Sequence, residues 1–234
     1  MLNLSYDACN DTTTCPDTTP PSGIFNDKES EHIMTTILHI NSSVRHNGSI
    51  SRKVTEEFLD KWKAVEPGVR IVERDLAAQP LPHLDEQTLG AFFTPAEQRT
   101  PQQADIVKLS DTLVKELFDA DVIVIGAPMY NFSVPSGLKA WIDQVARAGV
   151  TFKYSDQGPV GLVTGKKVYV FTSSGGVYSA SPMDFLGTYL RAVLGFIGLS
   201  DVTFVRSEGL AMGEAGVEKA LAQTRGIINE LLPA

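Results

Sequence analysis

Cysteine is nearly absent from this chain. Cys9 and Cys15 are the only two among 234 residues, and both precede Met34. From Met34 onward there is no thiol, which excludes cysteine chemistry there and fits a cytoplasmic protein. No apolar run approaches the roughly 18 residues of a membrane helix, so a soluble chain is expected. Positive charge is also short. The 20 Lys and Arg stand against 28 Asp and Glu, and the net charge of −8 argues against nucleic-acid binding. His32, His39, His46 and His83 lack the spacing of metal ligands, so no metal is expected. Neither G-x-G-x-x-G nor G-x-S-x-G occurs, which removes the dinucleotide fingerprint and the serine-hydrolase elbow. "GLVTGKK" (Gly161 to Lys167) glances at a phosphate loop, but no Ser or Thr follows the lysines and a strand follows where one should precede.

The first 33 residues differ in kind from the rest. They have no hydrophobic period, are rich in Thr, Asp and Pro, and carry −5 of the total charge. Such a composition predicts a disordered leader, and it lacks the basic and apolar regions of a secretory signal. The expected functional domain is residues 34–234, and Met34, just before the first strand, is the candidate true start.

From there strands and helices alternate. "TTILHI", "VRIVERDL", "DVIVIGA", "KKVYVFTSSGG" and "DVTFVRSEG" read as strands, and the uninterrupted apolar run of the third is typical of a strand covered on both faces. Ile50, Val54, Phe58, Trp62 and Val65 mark a helix at 3.6-residue spacing. Thr100 to Gln103 has the form of a capping box with Pro101 at the first helical position. Further helices are expected around Leu138–Val145, from a cap at Ser181–Asp184 to about Leu194, and over Val217–Leu231. Residues 76–99 read as a long loop because of Pro80, Pro82 and Pro95. The pattern predicts an α/β fold: a doubly wound, five-stranded parallel sheet with helices on both faces.

Ligands in such sheets bind beyond the carboxyl ends of the strands. After strand one, Asn41 to Ser51 offers Ser42, Ser43, Ser49 and Ser51 with Gly48 leading into the helix. Hydroxyls and main-chain N–H groups at a helix start suit a terminal phosphate, although a plain serine cap would read the same way. After strand four, Ser173-Ser174-Gly175-Gly176 lets backbone approach a ligand, or simply turns the chain. After strand three, Met129-Tyr130-Asn131-Phe132 supplies apolar surface and an amide with donors and an acceptor, or else an aromatic loop packed on its neighbours. One ligand answers to all three loops: flavin mononucleotide, its phosphate at the first and its ring across the other two.

At these loops a resemblance becomes specific. "APMYNF", "VARAGVTFKY", "GLVTGKK" and "LGFIG" resemble blocks of the FMN-dependent NADH-azoreductase family, NADH:quinone oxidoreductases of flavodoxin-like fold, and the resemblance runs from about Thr35 to the C-terminus. It implies flavin binding by Ser43, Ser49, Ile50, Ser51, Met129, Tyr130, Asn131, Phe132, Ser173, Ser174, Gly175 and Gly176. It also implies a homodimer with one FMN per subunit, and Phe132, Tyr154 and Phe196 covering the ring in the substrate pocket. Ser174 stands where the best-known members carry Arg, which bears on nicotinamide preference and substrate range but not on the reaction class. The implied activity is ping-pong: NADH gives two electrons to the flavin, and a quinone or aromatic azo compound then takes them. No catalytic side chain is assigned. The competing expectation is a flavodoxin-type electron carrier without a small-molecule substrate; a flavin-free regulatory domain stands behind it.

Overall fold

The computed structural model describes residues 34–233; the expected leader, with Cys9 and Cys15, lies outside the described residues. In chain order the elements are β1 (Thr36–Asn41), α1 (Ile50–Val65), β2 (Arg70–Asp75), α2 (Glu86–Phe93), α3 (Pro101–Asp119), β3 (Val122–Pro128), α4 (Ser136–Val145), β4 (Phe152–Ser155), β5 (Gly158–Gly161), β6 (Lys167–Ser173), α5 (Phe185–Ile197), β7 (Asp201–Ser207) and α6 (Glu214–Leu231). β2, β1, β3, β6 and β7 lie side by side in that order, all parallel, as the alternating sequence predicts. Among the described residues no helix is long and apolar enough to cross a membrane.

The period-2 geometry of each strand sends alternate side chains to opposite layers. Leu38, Ile40, Ile123, Ile125, Val168 and Val170 meet α3, α4 and α5 on one face. Ile37, Val122, Val124, Tyr169 and Phe171 meet α1, through Val54, Phe58 and Trp62, and α6, through Ile228, on the other. β3 is buried at every position, which accounts for its unbroken apolar run. Ser49 caps α1, and Thr100 with Gln103 forms the complete capping box of α3.

Three expectations need correction. Residues 76–99 are not a single loop: Asp85 caps the eight-residue α2, its carboxylate accepting from Thr88 N at 2.8 Å, and the prolines fall outside that helix. α5 is capped by Asp184 alone, which accepts from Gly187 N at 2.9 Å, and the helix runs past Leu194 to Ile197. An antiparallel hairpin, β4–β5, stands apart from the main sheet and was not expected.

That hairpin explains three of the sequence blocks. Arg147 is buried: its guanidinium meets Asp111 at 2.5 Å and Ser110 Oγ at 3.0 Å and lies over the Phe92 ring. Thr151 Oγ1 donates to Val145 O at 2.6 Å and accepts from Arg147 N at 2.9 Å, closing the turn that starts β4. Gly161 and Gly198 meet backbone to backbone, so a Cβ on Gly161 would lie 2.1 Å from Gly198 N. Gly198 also has φ +107, a left-handed conformation that closes α5. Lys166 donates its ammonium to the carbonyls of Phe118 and Ala120 at the end of α3. The basic end of "GLVTGKK" thus caps a helix.

Two outcomes follow from this packing. Gly161→Ala forces the hairpin away from α5 and should lower the melting temperature by several degrees, consistent with roughly 1–3 kcal/mol of overpacking; an unchanged melt would show that the contact is slack. His39, in β1, is 2% exposed with no partner for Nε2 among the described residues, and its pKa falls from 6.5 to about 4 through burial, against the charge of Glu73. A base with a lowered folded pKa stabilises fully above its unfolded value, and that stability is lost as pH falls through the window from 6.5 to about 4. Melts across the window should lose on the order of 3 kcal/mol, and His39→Leu should flatten the profile. A profile identical to that of the wild type would clear His39 of the effect.

Candidate functional site

Because all five strands of the sheet run the same way, the loops after β1, β3 and β6 leave at one edge. The first is held from behind. Ser42 N and Oγ both reach Gly126 O, at 3.2 and 2.6 Å, tying the loop to β3. Arg52, in the first turn of α1, forms a two-pronged ion pair with Asp75 at the end of β2, at 2.7 and 2.8 Å, and also donates to Ser43 O at 2.9 Å. The Arg52 hydrogen bond holds the Asp75 carboxyl down at about 2, so the pair stays charged through the neutral range. Ser43 Oγ lies 3.2 Å from the Tyr130 hydroxyl, joining the first loop to the loop after β3.

Tyr130 to Ser133 is a tight turn closed by main-chain bonds of 3.1 and 3.0 Å in both directions. Its central residues, Asn131 at φ 49 and Phe132 at φ 66, are both left-handed, as a type I′ turn demands. Asparagine tolerates that region; phenylalanine is strained there, at a cost of about 1–3 kcal/mol. The Phe132 ring is 43% exposed and meets the Tyr178 ring edge-on at 5.8 Å, so packing does not explain the strain. Tyr178 in turn is fixed by Glu208, which accepts from the N–H groups of Tyr178 and Ser179 at 2.7 and 2.9 Å.

The third loop is backed by the segment after β7. Gly209, Leu210 and Ala211 donate to the carbonyls of Gly176, Ser174 and Gly175. That arrangement occupies the carbonyls and leaves the N–H groups of Gly175 and Gly176 without an acceptor among the described residues. The N–H groups of Ile50 and Ser51 at the start of α1, and of Asn131 and Phe132 in the turn, are likewise unpaired among them. Free main-chain donors on all three loops suit a ligand with a phosphate at one end and carbonyls at the other.

Most of the predicted residues come together. Ser43, Ser49, Ile50, Met129, Tyr130, Ser173, Ser174 and Gly175 line one cavity of about 380 Å³. Ser51 sits behind it, 3.2 Å from Ser49 Oγ, and is fully buried. Gly176 lies under the Tyr178 ring, where a Cβ would come within 2.9 Å of it. Asn131 lines a second cavity of about 640 Å³, which shares Tyr130 with the first, together with Lys139 and Tyr189; Phe132 lines neither. Tyr154 and Phe196 line neither; they form an aromatic cluster with Phe152, at 5.6 and 4.3 Å, on the hairpin. Sequence reasoning missed Arg45 and Leu210 in the cavity wall, and Arg52, Asp75 and Glu208 behind it. The Arg in "SISRK", three residues after a serine cap, was the one available signal.

Known proteins resemble this chain in sequence and fold. Residues 35–232 match the family described as flavodoxin-like fold. A Herminiimonas arsenicoxydans protein named FMN-dependent NADH:quinone oxidoreductase is 75% identical over 204 residues, covering 86% of this chain and 100% of its own length. A protein of the same name from Azotobacter vinelandii is 51% identical over 192 residues, 82% of this chain and 96% of its own. Among solved structures, an azoreductase from Bacillus anthracis str. Sterne superposes with a TM-score of 0.76 at 30% identity, over 85% of this chain and 100% of its own. An FMN-dependent NADH-azoreductase from Bacillus anthracis str. Ames Ancestor, in complex with FMN, gives 0.76 at 27% identity over 86% and 100%.

The strained turn can be tested directly. Phe132→Gly should hold or raise the stability, by up to about 1 kcal/mol, read as an unchanged or higher melting temperature, because glycine accepts the left-handed backbone. The same change should weaken binding of a flat aromatic ligand. A lower melt with unchanged binding would mean that Phe132 serves the fold instead.

Proposed function

The chain belongs to the flavodoxin-like fold family and, within it, to the FMN-dependent NADH:quinone oxidoreductases, and from that premise we propose that its three-loop crevice holds FMN and also serves reductive cleavage of aromatic azo compounds. The observation that carries the reading is the meeting of Ser43, Ser49, Tyr130, Ser173 and Gly175 around one cavity. Azo reduction is supported by the likeness to azoreductases.

Ser43 and Ser49, with the unpaired N–H groups that begin α1, are the phosphate anchors in this reading. Met129 and Tyr130, in the cavity wall, would give the ring an apolar seat, and Asn131, across Tyr130 in the adjoining cavity, would offer its amide to the ring's polar edge. Bound FMN supplies the two-electron chemistry that links NADH to the acceptor. The N–H groups of Gly175 and Gly176, without an acceptor among the described residues, would be available to negative charge on the ring. The Phe132 and Tyr178 rings, in edge-on contact, would shield the open face of the ring from water in this reading. NADH and the acceptor use that face in turn, which gives ping-pong order, and an azo bond takes two rounds to become two amines. The functional domain is assigned to residues 34–234, a reading supported by the match over 35–232. We place the enzyme in the cytoplasm as a homodimer, with Tyr154 and Phe196 on the aromatic cluster of the hairpin contributing to the neighbouring subunit's pocket.

Purified protein supplied with FMN should be yellow, and anaerobic NADH should bleach it. Added quinone, and separately an azo dye, should restore the colour and turn over. Bleaching without turnover would favour the electron-carrier reading, and turnover of quinone alone would remove azo cleavage. Asn131→Leu should lower flavin affinity by roughly tenfold, the weight of one or two lost hydrogen bonds in a buried site; unchanged affinity would move the ring elsewhere.

A further inference from the structure

We propose that Arg45 is an anion-binding residue of this crevice and sets its preference for a phosphorylated over an unphosphorylated flavin; the inference rests on the reading of the crevice as the FMN site.

The phosphate end of such a ligand carries about −1.5 to −2 charges near neutral pH. Serine hydroxyls are neutral, and the start of a helix contributes the equivalent of only about half a positive charge. A cation beside these groups would meet more of that charge, in a chain whose net charge is −8. Arg52 lies behind the loop, but Asp75 binds both its terminal nitrogens and neutralises its charge, and Nη2 also donates to Ser43 O, so its guanidinium is held toward β2 even though Nε has no partner among the described residues. Arg74, Arg147, Arg206 and Arg225 also meet carboxylates. Arg45 forms no ion pair, and its guanidinium has no hydrogen-bond acceptor among the described residues.

Its position is specific. Arg45 lines the cavity with Ser43, Gly48, Ser49 and Ile50. Its main chain is fixed there, since Arg45 N donates to Ser43 Oγ at 3.2 Å, the same oxygen that lies 3.2 Å from the Tyr130 hydroxyl. A Cβ built on Gly48 would meet Arg45 Nη2 at 3.4 Å, so the guanidinium packs over Gly48, immediately before the cap of α1. Gly48 itself has φ +69, which turns the chain so that the arginine and the helix start face one space. An unpaired guanidinium beside unpaired N–H groups is an arrangement for a doubly charged oxyanion.

The test compares two ligands that differ only in the phosphate. Deflavinated full-length protein is titrated with FMN and with riboflavin, following flavin fluorescence, for wild type, Arg45→Gln and Arg45→Lys. Arg45→Gln should weaken FMN by roughly five- to tenfold and riboflavin by less than about twofold, with Arg45→Lys between wild type and Arg45→Gln for FMN. The FMN affinity of the wild type should fall with added salt more steeply than that of Arg45→Gln, because the lost interaction is screened. Equal loss for both flavins, or no loss for FMN, would overturn the role of Arg45 while leaving the FMN site standing. A wild type that binds neither flavin would overturn the site itself.

Discussion

In a parallel sheet every strand ends on the same side, and each crossover must return to the opposite side before the next strand begins. That constraint decides where chemistry can happen here. The loops after β1, β3 and β6 leave adjacent strands at one edge, and the order β2-β1-β3-β6-β7 puts the change of winding direction between β1 and β3. Two hydrophobic layers fix the strands, and so the spacing of the loops, before any loop residue makes a contact. The crevice is thus a by-product of burying a sheet on both faces. What the loops add is the identity of the groups that line it.

Those groups are held by polar contacts that reach across the sequence. Arg52 joins the start of α1 to the end of β2 and to the carbonyl of Ser43, and Glu208 reaches from the end of β7 to the backbone of Tyr178. Both contacts use a carboxylate at short range with more than one donor, which gives direction as well as attraction. They leave the donors on the cavity side unpaired, so the free N–H groups of the three loops are a consequence of how the loops are anchored behind. The backbone at Phe132 is a costly conformation in this arrangement, and it holds an exposed aromatic ring.

Much of this was legible in the sequence, for identifiable reasons. The apolar run of β3, the serine before α1 and the Thr100–Gln103 box are local signals whose physics acts within a few residues. The chemical character of the three loops was readable because serine, glycine and Met-Tyr-Asn-Phe restrict what can lie against them. α2 was hidden because eight residues between prolines show little more than two turns of periodicity. The β4–β5 hairpin was hidden because its exposed residues leave no alternating pattern. Arg52 with Asp75 and Glu208 with Tyr178 are separated by 23 and 30 residues, and no local rule links such pairs. The left-handed turn at Phe132 had no sequence marker, since an aromatic side chain is not a residue that such turns select.

The meeting of Gly161 with Gly198 has a mechanical side. Two stretches of main chain lie in direct contact there, with no side chain between them. The hydrogen bond from Val163 N to Ile197 O, at 2.9 Å, adds a second fixed point a short way along. The hairpin is therefore clamped to the end of α5 at two points. Phe152 on β4 and Phe196 on α5 are brought into contact by that clamp, and Tyr154 packs edge-on against Phe152, so the position of all three rings depends on a contact only two glycines allow.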